Sequence, residues 1–329
     1  MKIAVPLVSV LALALVAWIC TAYLNLYTLF GVIIPYAAFA LFVIGFVVRI
    51  VRWGTSAVPF RIPTTCGQQK SLPWIKQAKT DNPSSYAGVV GRMLLEVLFF
   101  RSLFRNSKVE KRDDKLVIGS AKWLWLGALV FHWSMLVIVL RHFRLFLDPV
   151  PIWVQALEGA DSAFQIGIPI LYLTDVFVVA GLTFLFLRRV VVPRIRYLSL
   201  SVDYFPLFLL LGIAVSGIVM RYAFRVDLNS VKELTMGLVT FNPVVGAGIE
   251  PLLFVHVFLV SVLLVYFPWS KLMHSGGVFF SPTRNLANNN RARRHVNPWN
   301  YPVQVHTYAE YEEEFGEKMK KVGLPLDAE

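Results

Sequence analysis

The chain has 329 residues, 57% of them hydrophobic and only 16% charged, with a mean hydropathy of +0.61. That balance excludes a soluble globule for most of the length and predicts an all-α integral membrane protein. The formal net charge of +12 would suit a nucleic-acid partner, but the basic residues gather where membrane orientation puts them, so no nucleic acid is expected.

A bilayer core of about 30 Å takes roughly 20 apolar residues per helical crossing. Six segments reach or approach that length, near residues 4–25, 28–50, 119–145, 166–187, 200–222 and 251–273. The first has only Lys2 ahead of its apolar run and no clear small-x-small site before "YLNLY", which predicts a retained helix rather than a cleaved signal peptide. A polar loop lies between the second and third segments and a polar tail follows His274, neither with an internal repeat. In the loop, "GRMLLEVLFFRSLFRN" interrupts large apolar residues with Arg92, Glu96, Arg101 and Arg105, the pattern of an interfacial helix. In the tail, "RNLANNNRARRHVNPWNYP" is basic and too poor in apolar periodicity to fold alone. It suits wrapping a cytoplasmic partner or lying against anionic lipid headgroups. Farther on, "AEYEEEFGEKMKK" places acidic residues before basic ones, as a helix prefers.

Orientation follows from Lys and Arg. The loop between Arg52 and Lys122, "RRVVVPRIR" at 188–196 and "RNLANNNRARR" at 284–294 are basic and belong on the cytoplasmic side, whereas Asp148, Glu158 and Asp161 mark an outer connection. Six crossings with both termini inside satisfy this, in the cytoplasmic membrane of the cell. Arg141, Arg144, Arg221 and Arg225 then stand at the outer surface, against the trend.

Only Cys20 and Cys66 are present. An iron-sulfur cluster needs four such ligands, so any cluster belongs to a partner, and Cys66 in "PTTCGQQ" is expected to be an ordinary thiol.

Ionisable side chains at membrane depth need a specific reason. "HWSMLVIVLRH" carries His132 and His142, and "FVHVFLVSVLLVYFPWSKLMHSGG" carries His256 and His274. On a helix the first pair is separated by about 15 Å and about 80°, the second by about 27 Å on one face. The third and sixth segments run antiparallel, so the histidines match by depth: His142 with His256 near the outside, His132 with His274 deeper. A haem iron takes two axial imidazoles, and helical bundles supply them from facing helices. Two stacked b-type haems follow, without covalent attachment because no C-x-x-C-H is present. Straight rods leave a mismatch of about 12 Å between the two rises; Pro268 can bend the axis. From spacing alone, a proton-relay transporter and a zinc-type site remain alternatives, while His295 and His306 are expected at the surface.

At these residues, with "FPWSKLMH" closing the eighteen-residue spacing, the sequence resembles the haem-bearing gamma subunit family of respiratory nitrate reductase over residues 117–280. The resemblance implies a quinol-oxidising dihaem cytochrome b. A narrower similarity lies in "LLEVLFFRSLFRN", "KWLWLGALVFHW" and "SPTRNLANNNRARRHVNPWNYPV", which resemble the membrane cytochrome b family (DsrM) of the dissimilatory sulfite-reduction-associated (Dsr) complex along nearly the whole chain. That family implies sulfur metabolism, menaquinone as substrate and several partners. These are a cytoplasmic iron-sulfur subunit related to heterodisulfide reductase, a periplasmic multihaem cytochrome c, a periplasmic iron-sulfur protein and a second membrane quinone subunit. The implied organisation is two N-terminal transmembrane helices (1–52), a cytoplasmic loop with the interfacial helix (53–117), a four-helix dihaem core (118–276) and a partner-binding tail (277–329).

A quinone site beside the outer haem is expected among Arg141, Arg144, Asp148, Arg221 and Arg225, with Arg144 and Arg221 as its candidate residues, though such arginines often only snorkel. Glu250 is expected to favour the N-terminus of the sixth helix. The same electron-transfer chemistry serving a heterodisulfide or nitrate reductase remains an alternative, and so does the proton-coupled transporter. Against the transporter, the halves lack matching Gly- or Pro-interrupted short helices.

Overall fold

A computed structural model describes residues 1–56, 67–162, 164, 167, 169–246, 248–281, 283–291 and 305–327. Cys66, His295 and most of the basic tail segment lie outside the described residues. The chain begins with α1 (Ala4–Ala22), and a π-helical turn at Leu29–Ile33 leads into α2 (Ile34–Gly54). The loop then forms α3 (Tyr86–Phe99), capped by the Ser85 hydroxyl, and a short α4 (Arg101–Arg105) beyond a left-handed Phe100. An antiparallel hairpin of β1 (Ser107–Arg112) and β2 (Lys115–Ser120), turning at a left-handed Asp113, was not expected from the sequence. Its short strands lack a clean apolar alternation to announce them.

Next come α5 (Lys122–His142), α6 (Ile152–Asp161), α7 (Leu173–Val191), α8 (Pro193–Leu198) and α9 (Ser201–Val219), whose last turn widens into a π-turn at Met220–Phe224. After α10 (Leu228–Val239) and α11 (Pro251–Tyr266), two 3-10 turns lead to α12 (His274–Gly277). The tail helix α13 (Tyr308–Lys321) starts on a reciprocal Thr307–Glu310 capping box.

Among the described residues five helical segments are long and apolar enough to cross a membrane: Ala4–Ala22, Leu29–Gly54, Lys122–Leu145, Ser201–Phe224 and Pro251–Trp269. The sixth expected segment begins later than 166, at Leu173, after turns at Gly167 and Pro169. Its helix α7 carries Asp175 near one end and Arg188 and Arg189 at the other, which keeps its average polarity above that of the other five. It nevertheless packs between α5 and α9. Its approach to α5 is close: a Cβ on Gly127 would overlap the Phe184 ring, and one on Gly181 would lie 3.0 Å from Phe131 Cβ.

The core sits where α11 meets α1, α2 and α9, with Leu209, Phe254, Tyr204 and Leu259 buried. Large apolar side chains on the other faces of α1 and α2, such as Leu11, Leu15, Phe39 and Ile44, are exposed. In a bilayer they face hydrocarbon, which needs no further partner.

Beyond the α5 N-terminus the polar loop and the start of the tail fold together. Asn288 donates its backbone N–H to the Pro83 carbonyl at 2.7 Å and its amide to Asn82 Oδ1 at 2.6 Å, and Asn82 in turn donates to the Gly67 carbonyl at 3.1 Å. Arg92 donates to the Thr283 carbonyl, Arg284 lies 3.6 Å from Glu96, and Asp81 holds Arg101 and Arg105. Residues 283–291, expected to stay unfolded without a partner, thus use their polar side chains on their own chain.

Candidate functional site

The four membrane-depth histidines meet as two pairs. On α5, His132 and His142 each donate Nδ1–H to the carbonyl one turn back, Ala128 and Ile138, both at 2.7 Å. His274 does the same to the Lys271 carbonyl at 2.7 Å, and His256 reaches across to Ser216 Oγ on α9 at 2.9 Å. With every Nδ1 engaged, Nε2 is the nitrogen each ring has left for another atom. The His142 and His256 rings lie 6.5 Å apart between centroids and nearly parallel, at 8°. The His132 and His274 rings lie 6.1 Å apart and nearly perpendicular, at 83°.

How the lower pair forms explains the axial mismatch left open by ideal geometry. The α11 helix stops at Tyr266; Pro268 removes a backbone donor, and Ser270 turns to an extended conformation. The following seven positions therefore do not advance His274 along the helix axis as a continuous helix would. Pro268 is seated against Gly45 of α2, where a Cβ would lie 2.9 Å from the proline Cβ. On the other side, Phe131 and Phe100 meet the His132 ring edge-on at 4.7 and 5.0 Å. Trp125 and Trp133 donate their indole N–H groups to the carbonyls of Phe99 and Leu98, tying the end of α3 to α5 at this level.

The donor chemistry fits a bis-imidazole metal centre at both levels. Two imidazoles on opposite sides of one ion, at the metal–nitrogen distance of about 2.0–2.1 Å usual for histidine and with about 1.1 Å from nitrogen to ring centre, have centroids about 6.3 Å apart. The observed 6.5 and 6.1 Å bracket that value. Holding the second ring nitrogen in a hydrogen bond is how proteins orient such ligands. Beside His256, Gly217 keeps room for the ring, since a Cβ there would approach Cε1 to 3.3 Å. Among the described residues no three His, Cys, Asp or Glu side chains converge, so the donors come in twos rather than as the closed fourfold set of a structural zinc site.

The predicted quinone-site residues separate. Arg144 is engaged with Glu158 at 2.8 Å. Arg221 donates to the Ile170 carbonyl at 3.2 Å and lies over the Tyr172 and Tyr222 rings at 4.1 and 5.5 Å. Asp148 pairs with Lys232 at 2.9 Å, and Glu250 stands at the N-cap of α11 without a side-chain cap bond. Arg141, expected at the outer surface as one of this cluster, is instead buried. It binds Asp161 at 3.1 Å and Asp175 at 3.0 Å and stacks on Tyr172 at 3.7 Å. Asp161 also accepts from the Thr174 N–H and hydroxyl, and Asp175 from the Tyr222 hydroxyl at 2.8 Å. The network joins α5, α6, α7 and the π-turn of α9 immediately beside His142. An arginine one residue from a candidate ligand was the only local signal; its two carboxylates lie in separate segments.

Comparison with known proteins agrees with this architecture. Residues 93–295 match the family model of the nitrate reductase gamma subunit. An Hdr-like menaquinol oxidoreductase cytochrome b-like subunit of Archaeoglobus fulgidus is 52% identical over 84% of this chain and 85% of its own length. Its namesake in Archaeoglobus profundus is 43% identical over 81% of each chain. With its histidine-bearing helices inside the matched region, the chain belongs to the nitrate reductase gamma subunit family.

Proposed function

We propose that the chain is the quinone-linked dihaem cytochrome b subunit of an Hdr-like menaquinol oxidoreductase complex, with two haem b groups held by His142 and His256 and by His132 and His274. The observation that carries this reading is the pairing of the rings at 6.5 and 6.1 Å with all four Nδ1 atoms already engaged. Bound haem supplies one-electron transfer, chemistry that no side chain here provides. The chain's own residues hold and orient the imidazoles, and aromatic rings shield His132. Support also comes from the names of the two Archaeoglobus relatives, which are cytochrome b-like subunits of menaquinol oxidoreductases.

In this proposal α7 is a sixth crossing, its charges accommodated by the Arg141–Asp175 ion pair at one end and by Arg188 and Arg189 at the interface at the other. Both termini are cytoplasmic in the cell's inner membrane, as the distribution of Lys and Arg indicates. Menaquinol is oxidised near the outer pair. Arg221 is the better of the two candidates there, because Arg144 is held by Glu158 whereas Arg221 shares its surroundings with the Tyr222 hydroxyl. Electrons leave toward a cytoplasmic iron-sulfur, heterodisulfide reductase-like subunit docked on the loop and tail. The Dsr-type sulfur-metabolism complex, with its periplasmic cytochrome c and iron-sulfur proteins and second membrane quinone subunit, is the proposed setting; the words in residues 94–106, 122–133 and 281–303 support it.

The test is a reduced-minus-oxidised spectrum with a pyridine haemochrome assay on the purified chain. Two b haems per chain are expected in the wild type and one in each single histidine variant. His142→Ala and His256→Ala should lose one component, His132→Ala and His274→Ala the other. A chain without haem would leave the proton-coupled transporter standing, and joint loss of one component by the His132 and His256 variants would overturn the pairing.

A further inference from the structure

Three of the four imidazoles rest Nδ1 on a carbonyl of their own helical segment; His256 alone turns across to another helix, to a side-chain hydroxyl with the Ile213 carbonyl beside it. Its acceptor, Ser216 Oγ, lies 2.9 Å away on α9 and is itself buried, with 7% of its surface exposed. The hydroxyl has one proton, and that proton goes to the Ile213 carbonyl at 2.9 Å. Its lone pair is therefore the part that faces the ring, so the chain runs from His256 Nδ1–H to Ser216 O–H to the Ile213 carbonyl. Serines in apolar helices commonly do no more than return a bond to their own backbone. Ser261 on α11 is that ordinary case: it is buried, with 3% exposed, and donates to the Val257 carbonyl at 2.8 Å. Ser216 makes the same kind of bond and a second one to the ring, and the adjacent Gly217 leaves the ring its space.

We propose that Ser216 is a positioning residue that sets the electron-donating strength of His256, and with it the reduction potential at the His142–His256 level. The inference rests on the reading of His256 as a haem ligand. A hydrogen bond accepted from the far nitrogen raises the basicity of a ligating imidazole, which favours the oxidised metal and lowers its potential. A neutral hydroxyl is a weaker acceptor than an amide carbonyl, so Ser216 pulls less on His256 than the carbonyls pull on the other three rings. It is also removable by substitution, unlike a backbone carbonyl, so this level can be tuned by one side chain.

The experiment is an optical potentiometric titration of the full chain in membranes, with the outer component identified as the one missing from His142→Ala. Ser216→Ala removes the hydroxyl from the Nδ1–H, and the outer midpoint should rise while the inner stays in place. Ser216→Thr keeps a hydroxyl and should follow the wild type, and Ser261→Ala should move neither component. Loss of the outer haem in Ser216→Ala but not in Ser216→Thr would equally assign the seat of the ring to the hydroxyl. Unchanged midpoints in Ser216→Ala, an equal shift of both components, or the same behaviour in Ser216→Ala and Ser216→Thr would overturn the proposal. A wild-type chain with no haem would instead remove the reading beneath it.

Discussion

Replacing Arg141 with methionine should cost far more than the same change at Arg144, although the two arginines are three residues apart and both are ion-paired. The Arg141 side chain is 9% exposed and its carboxylate partners 3% and 12%. Removing one member of a buried ion pair leaves the other charge without compensation, at about 3–5 kcal/mol. Arg141→Met strands two carboxylates, but Asp161 keeps its Thr174 donors and Asp175 its Tyr222 donor. These bonds hold the total within that range rather than doubling it. Arg144 is 39% exposed and, among the described residues, pairs with Glu158, so its loss should cost about 0–1 kcal/mol. The assay is denaturant titration of the purified chain in mixed micelles, followed by tryptophan fluorescence. At about 1.4 kcal/mol per decade, the folding constant should fall by two powers of ten or more for Arg141→Met and by less than one for Arg144→Met. Neutralising the stranded partners with Asp161→Asn and Asp175→Asn should restore part of the loss. Equal costs for the two arginine variants would refute the reasoning, because the difference rests on the burial of Arg141 and on the two carboxylates it alone holds.

The two ring geometries should be visible by electron paramagnetic resonance of the oxidised protein. If each pair holds a haem as proposed, parallel imidazole planes at 8° would separate the iron π orbitals in energy, whereas planes at 83° would leave them nearly degenerate. Two low-spin signals of unequal anisotropy are expected, the more anisotropic one vanishing in His132→Ala; two identical signals would contradict the geometry. At the other end, Asn288→Ala removes the donor to buried Asn82 and should destabilise the loop–tail contact by about 1–3 kcal/mol. Faster tryptic cleavage at Arg284 and Arg291 should follow, and a wild-type cleavage rate would show that the contact contributes nothing.

Five membrane-grade helices were legible in the sequence because apolar length is a local property that hydrocarbon rewards wherever the segment lies. The amphipathic loop segment and the charged helix α13 were announced by their own residues, but the one helix expected over 91–106 is broken at left-handed Phe100 into α3 and α4. The four histidines could be singled out because an ionisable ring in such a run is conspicuous. Pro268 announced a bend, but tertiary structure alone decided the tilt of each ring, the meeting of His274 with His132, and the burial of Arg141 between two carboxylates from other helices. Those features depend on contacts between residues far apart in the chain, where the cost of closing the intervening segments and the fit of neighbouring side chains decide the outcome. No window of sequence holds both halves of such a contact.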